Sequence, residues 1–171
     1  MYERYGDVVL LDGDDAFSRA IRFFNGQRYV HCGVLVERGV FSQLNRKGEE
    51  IFLHLDDKRD HNSYIILKHR EATLAKRDLF KRNYEELVRT HDYDMLAILK
   101  LAAKHTLVKC GIGFPEEINI LREGMTMCSA LTSLGHELTY DGFKVRKGVH
   151  FSQTEPHHFL ETFETVENRV L

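Results

Sequence analysis

Apolar and polar positions alternate in short blocks over the first 70 residues and then change period. Gly6-Asp7 leads into Val8-Val9-Leu10-Leu11, and Asp12-Gly13-Asp14-Asp15 stops the run, which predicts a buried strand followed by a turn. Ala16, Ile21, Phe23 and Phe24 give the next segment one apolar side, and Asn25-Gly26 ends it, so a short helix is expected there. Tyr29-Val30-His31-Cys32-Gly33-Val34-Leu35-Val36 reads as a core strand closed by Glu37-Arg38-Gly39. Val40–Leu44 and Ile51–Leu55 are two further strands joined by a turn at Asn45-Arg46-Lys47-Gly48, and Tyr64–Leu67 is another. Together these predict a meandering antiparallel sheet.

From Glu71 to Lys109 the apolar spacing becomes helical, through Leu79, Phe80, Tyr84, Leu87 and Val88 and again through Leu96, Leu99, Leu101 and Leu107. Two helices are expected, divided around Thr90-His91-Asp92. Gly111 to Gly124 is an irregular connection. A third helix follows, with Thr126 as its N-cap, Cys128-Ser129-Ala130-Leu131-Thr132-Ser133-Leu134 in its body and Gly135 as its stop. The tail holds a weak strand and a Thr154-Glu155-Pro156 start to a short helix around Phe159 and Leu160. Strands followed by helices place the chain in the α+β class, and 171 residues without a linker or repeat suit one domain over 1–171.

Composition narrows the function classes. A net charge of −2 gives no positive field for nucleic acid, and Lys76-Arg77 and Lys81-Arg82, mixed with Asp78, Glu85 and Glu86, read as a solvated helix face. No run reaches the length of a membrane span, and the N-terminus lacks a secretory leader pattern, so the expected compartment is the cytoplasm. Three cysteines without a C-x-x-C pair argue against a disulfide framework or a structural zinc, and His157-His158 lacks zinc-type spacing, so no metal is expected. No phosphate-binding or dinucleotide glycine loop is present, and no cofactor is assigned.

The residues best placed for chemistry are Cys128 and His31. A cysteine in the first turn of a helix sits among unpaired N–H groups that favour a thiolate and can hold an oxyanion. His31 interrupts an apolar strand. Period-two alternation puts it on one face with Gly33 and Leu35, and puts Cys32 on the other with Val34 and Val36, so Cys32 reads as core. A cysteine nucleophile needs a histidine base delivered by the fold, while a buried cysteine or a hydrogen-bonded structural histidine is the competing reading.

Five segments taken in order resemble the circularly permuted branch of the NlpC/P60 superfamily of papain-like cysteine hydrolases. They are Gly6-Asp7 with its strand, Phe17-Ser18-Arg19-Ala20-Ile21, Tyr29-Val30-His31-Cys32-Gly33, Tyr93-Asp94, and the helix opening Cys128-Ser129-Ala130-Leu131. Histidine preceding cysteine is what makes the order permuted, and Thr154-Glu155-Pro156 echoes a late Thr-Pro segment of that family. The resemblance implies a permuted papain-like fold, Cys128 as nucleophile, His31 as base and a polar third residue on the next strand. Gln43 holds that third position, with Glu50 and His54 in reserve, and an amide there stabilises an imidazolium less than a carboxylate does. Tyr93 and Ser129 are implied near the substrate.

The expected reaction is cleavage of an amide or peptide bond through a thioester, on a peptide or acyl substrate of which cell-wall peptides are one class. Without a leader, a cell-wall substrate implies release by lysis or a phage-encoded protein. A lipid acyl hydrolase or acyltransferase of the same superfamily is the alternative, although Ser129-Ala130 after Cys128 departs from the acyltransferase motif. A non-catalytic binding module with the same fold is the other.

Overall fold

The computed structural model describes residues 4–13, 15–45, 47–57 and 63–170. Asp14 and Arg46, parts of the two expected turns, lie outside the described residues. Strand β1 (Val8–Leu11) is buried along its whole length, as its unbroken apolar run requires, because β2 (His31–Glu37) and β5 (Ser63–Lys68) pair with it on either side. β3 (Val40–Leu44) and β4 (Glu50–His54) continue from β2 as a meander. The tail strand β8 (Glu164–Val170) pairs with β5 at the far edge, giving six antiparallel strands in the order β4-β3-β2-β1-β5-β8. The sheet is thus a meander on one side only: β5 returns past three strands to lie beside β1.

Helix α1 (Ala16–Asn25) starts where Asp15 accepts hydrogen bonds from the backbone N–H groups of Phe17 and Ser18, and it ends at Gly26, whose φ of 71° is the left-handed stop that glycine permits. α2 (Leu74–Thr90) and α3 (Met95–Lys109) are divided at residues 91–94, close to the break expected around Thr90-His91-Asp92. In that break Asp92–Tyr93 (β6) pairs in parallel with Met125–Thr126 (β7). α4 (Cys128–Thr139) follows at once, and α5 (Phe159–Thr162) is one turn. No described helix is long and apolar enough to cross a membrane.

The structure corrects the ends of the cysteine helix. Thr126 belongs to β7 and the N-cap position is Met127, while Gly135 lies inside α4, which runs on to Thr139. A glycine sits there for packing: a Cβ at this position would lie 3.1 Å from Phe80 of α2, and Phe80 is fully buried. The reading of α2 as a solvated face also needs correction at Arg77. Its guanidinium is buried and donates to the Asp7 carboxylate at 2.7 Å and to the Tyr5 carbonyl. The Gly6-Asp7 pair therefore anchors α2 against the first strand. A buried charge persists only with such partners.

Two apolar layers fix the sheet. Val8, Leu10, Cys32, Ile65 and Leu67 pack with Cys128, Phe159 and Phe163, and next to them Val34 meets Leu131, Phe80 and Tyr84. Val9, Leu11, Leu35, Phe41, Tyr64 and Ile66 cluster on the opposite face. Cys32 is wholly buried in the helix-facing layer, as the alternation along β2 predicts.

Candidate active site

Helix α4 delivers Cys128 to the end of the sheet where β2 begins. The sulfur is buried beside Cys32, and burial pushes the thiol up from its ordinary pKa. The nearby backbone N–H groups of Cys32, Ser129 and Cys128 itself, and the Tyr93 hydroxyl, act in the opposite direction. The helix start thus supplies donors around the sulfur, as expected, but burial outweighs them and favours the protonated thiol. A base is needed to draw off that proton.

His31 is the first residue of β2, opposite Leu11, and its side chain is 22% exposed. His31 and Cys128 line one cavity. The Nε2 atom lies 2.9 Å from Ser18 Oγ, and the Ser18 hydroxyl donates to Asp15 Oδ2 at 2.8 Å. Asp15 Oδ2 is itself 4.0 Å from Nε2. Burial alone would raise the Asp15 carboxyl, but the hydrogen bonds from Ser18 and from the Phe17 N–H, with the charge of His31, bring it down to about 2. Gly13 makes this arrangement possible. A Cβ there would come within 2.5 Å of Ser18 Oγ and 3.0 Å of the His31 ring.

The other expected site residues are distributed as follows. Tyr93 reaches the sulfur because the β6–β7 ladder holds it beside Thr126, and Asp94 locks the same segment by capping α3 and accepting from Arg122. The Ser129 hydroxyl is buried and donates to the Thr154 carbonyl at 2.6 Å, while its backbone N–H lies near the Cys128 thiol. Gln43 borders a shallow depression with His31, Asp15 and Tyr93, but it is Ser18 that bonds His31 Nε2. Glu50 accepts the hydroxyl of Ser42, and His54 is exposed on the outer strand of the meander. In the sequence Asp15 was visible only as part of a turn and Ser18 only as a motif position. Their meeting with His31, 16 and 13 residues on, depends on the close approach that Gly13 permits, which no spacing rule specifies.

The cavity that Cys128 and His31 share has a volume of about 140 Å³. Phe17, Ile21 and Phe24 of α1 and Ile98, Leu99 and Ala102 of α3 form its walls, with Met127 and Pro156 beside the sulfur. A polar cluster interrupts that lining: His105 Nε2 lies 2.9 Å from the buried Glu155 carboxylate, which also accepts from Asn25 at 3.4 Å.

A solved structure shares this overall architecture. The fold is shared with metalloprotein YiiX from Escherichia coli O157:H7, DUF1105, at a TM-score of 0.61 over 98% of each chain and 11% identity. At that identity the likeness is one of fold. No protein-family model matches the chain, and no curated protein matches its sequence. Among the described residues, no group of three or more His, Cys, Asp or Glu side chains is placed to hold a metal ion.

Proposed function

We propose that the chain is a cysteine acyl hydrolase with a circularly permuted papain-like fold, Cys128 being the nucleophile and His31 the base. The observation that carries this reading is that one cavity is lined both by the buried Cys128, with N–H and O–H groups near its thiol, and by His31, whose imidazole is held by Ser18. His31 takes the Cys128 proton, and the thiolate adds to the carbonyl carbon of an amide or ester. The donors around the sulfur stabilise the oxyanion. Collapse of the tetrahedral intermediate breaks the carbon–nitrogen or carbon–oxygen bond, and the leaving amine or alcohol takes the proton from the imidazolium. Water, deprotonated by His31, then cleaves the thioester to a carboxylic acid and restores the thiol.

The apolar walls favour the acyl alternative over a charged cell-wall peptide. A volume of about 140 Å³ is close to that of apolar cavities that take up benzene, so the group received there is an apolar side chain or a short stretch of acyl chain. The test is incubation with p-nitrophenyl butyrate and with the p-nitrophenyl hemiester of succinate, followed by peptide mass mapping. Butyryl addition at Cys128, faster than succinyl addition and absent from Cys128→Ala, supports the proposal. Absence of acylation, or equal acylation of Cys32 and Cys110, leaves only a binding module with this fold.

A further inference from the structure

We propose that Asp15 and Ser18 form a positioning relay that fixes the tautomer of His31, so that Nδ1 is the atom that receives the proton of Cys128. The inference rests on the hydrolase reading for its consequence, but its first claim concerns the hydrogens of a neutral imidazole. A hydroxyl has one hydrogen to donate. Ser18 Oγ lies 2.8 Å from Asp15 Oδ2, and an ionised carboxylate only accepts, so the Ser18 hydrogen points to Asp15. Ser18 Oγ then offers a lone pair to His31 Nε2 at 2.9 Å, and that contact is a hydrogen bond only if Nε2 carries a hydrogen. A neutral ring with Nε2–H has its basic lone pair on Nδ1. When the ring becomes imidazolium, the Nε2–H···Oγ–H···Oδ2 chain still matches, and the carboxylate 4.0 Å from Nε2 favours the added charge.

The surroundings hold this chain in place. Ser18 is fully buried, and Asp15 is anchored through Oδ1 by the N–H groups of Phe17 at 2.7 Å and Ser18 at 3.0 Å, so its Oδ2 is left aimed at the hydroxyl. Gly13 leaves no room for a side chain between Ser18 and the imidazole. The relay thus takes the role that a polar residue on the next strand was expected to fill, and does so from the helix that walls the cavity.

The relay is tested by long-range ¹H–¹⁵N NMR of histidine-labelled protein, with Cys128→Ala as background so that no thiolate–imidazolium pair forms, and with His31→Gln to assign the signal. Above the titration of the ring, the Nε2–H form is expected. Asp15→Asn keeps the cap through Oδ1, but its amide N–H now donates to Ser18, which turns the hydroxyl hydrogen toward Nε2 and shifts the population to Nδ1–H. Ser18→Ala leaves the Asp15 cap intact and gives a mixture, which covers the case of an Asp15→Asn protein that does not fold. With Cys128 restored, Asp15→Asn lowers kcat/KM for p-nitrophenyl butyrate by at least about 100-fold with little change in KM, as expected of a wrong tautomer. An Nδ1–H ring in the parent protein, or the same tautomer populations in both variants, overturns the relay even if Cys128 is acylated normally. The expected tautomers without any acylation leave the relay standing and remove the hydrolase reading instead.

Discussion

Helix α4 carries Cys128 in its first turn and His136 eight residues later, about 12 Å along the axis, and the two ends treat a buried functional group in opposite ways. At the first end the sulfur is surrounded by donors and borders a cavity. At the other, His136 is 1% exposed and packed among Phe80, Tyr140, Phe163 and His69, whose own ring stacks on Tyr140 at 3.6 Å. Neither nitrogen of His136 has a hydrogen-bond partner at normal length among the described residues. Burial, with His69 and Arg77 nearby, drives its pKa well below the usual histidine range, against a weak contact with the Gly6 backbone. One end converges polar groups on an atom that must change charge. The other end excludes them from an atom that must stay neutral.

The two ends therefore respond to truncation on different axes. Cys128→Ala abolishes acylation, and the loss of one small buried group costs about 1 kcal/mol of stability. His136→Ala leaves turnover per folded molecule unchanged and lowers the unfolding free energy by about 2–4 kcal/mol, because it opens a cavity among aromatic rings. Urea unfolding and p-nitrophenyl butyrate turnover on both variants check this. Loss of turnover in folded His136→Ala would dissolve the distinction.

His31 offers a finer comparison, histidine against histidine. His31→Ala removes a partly exposed ring hydrogen-bonded to Ser18, so kcat/KM falls about 10²–10⁴-fold while stability falls by no more than about 1 kcal/mol. A large loss of stability with turnover intact would place His31 beside His136 as a structural residue.

His31 and Cys128 also mark where the sequence was legible. His31 stood out because it broke an apolar strand, and Cys128 because it opened a helix; both depend on local pattern. The strands, the division between α2 and α3 and the burial of Cys32 follow from periodicity in the same way. The sheet order did not, because nothing local says that β5 crosses back to β1 or that β8 closes the edge. Arg77 looked solvated because its partner, Asp7, is 70 residues away. The Ser18–His31 contact was hidden for a similar reason, since the close approach is set by the turn at Gly13.

The aromatic end of α4 predicts a pH dependence of stability. In the unfolded chain His136 takes up a proton near its ordinary pKa of 6.5, whereas in the folded chain it resists protonation. The unfolded state therefore binds more protons below that pH, and stability, present in full above about 6.5, is lost as the pH falls. His69, His150 and His157 are shifted the same way, and burial takes His158 down to about 3. His136→Phe removes one proton from this linkage and flattens the acid slope by up to about 1.4 kcal/mol per pH unit. Urea midpoints measured from pH 7.5 to 5 check it, and an unaltered slope would mean that the ring is protonated within the core.

The smallest effect belongs to Gly135, between the two ends. Two opposing terms meet there. Alanine is favoured over glycine in a helix interior by about 1 kcal/mol, which by itself would stabilise α4. The added methyl would also lie 3.1 Å from Phe80 Cε2, and that ring is 1% exposed, with Tyr84 and His136 against it, so it has little space to yield. Overpacking in such a core costs about 1–3 kcal/mol, enough to cancel the propensity gain and reverse it slightly. Gly135→Ala is therefore expected to destabilise the protein by about 1 kcal/mol with turnover unchanged. In a Phe80→Leu background the obstruction is smaller, and the same substitution becomes neutral or stabilising relative to that parent. A double-mutant cycle in urea reads the difference directly. If Gly135→Ala stabilises both backgrounds equally, the glycine is not needed for the approach of α2, and its place inside the helix has another cause.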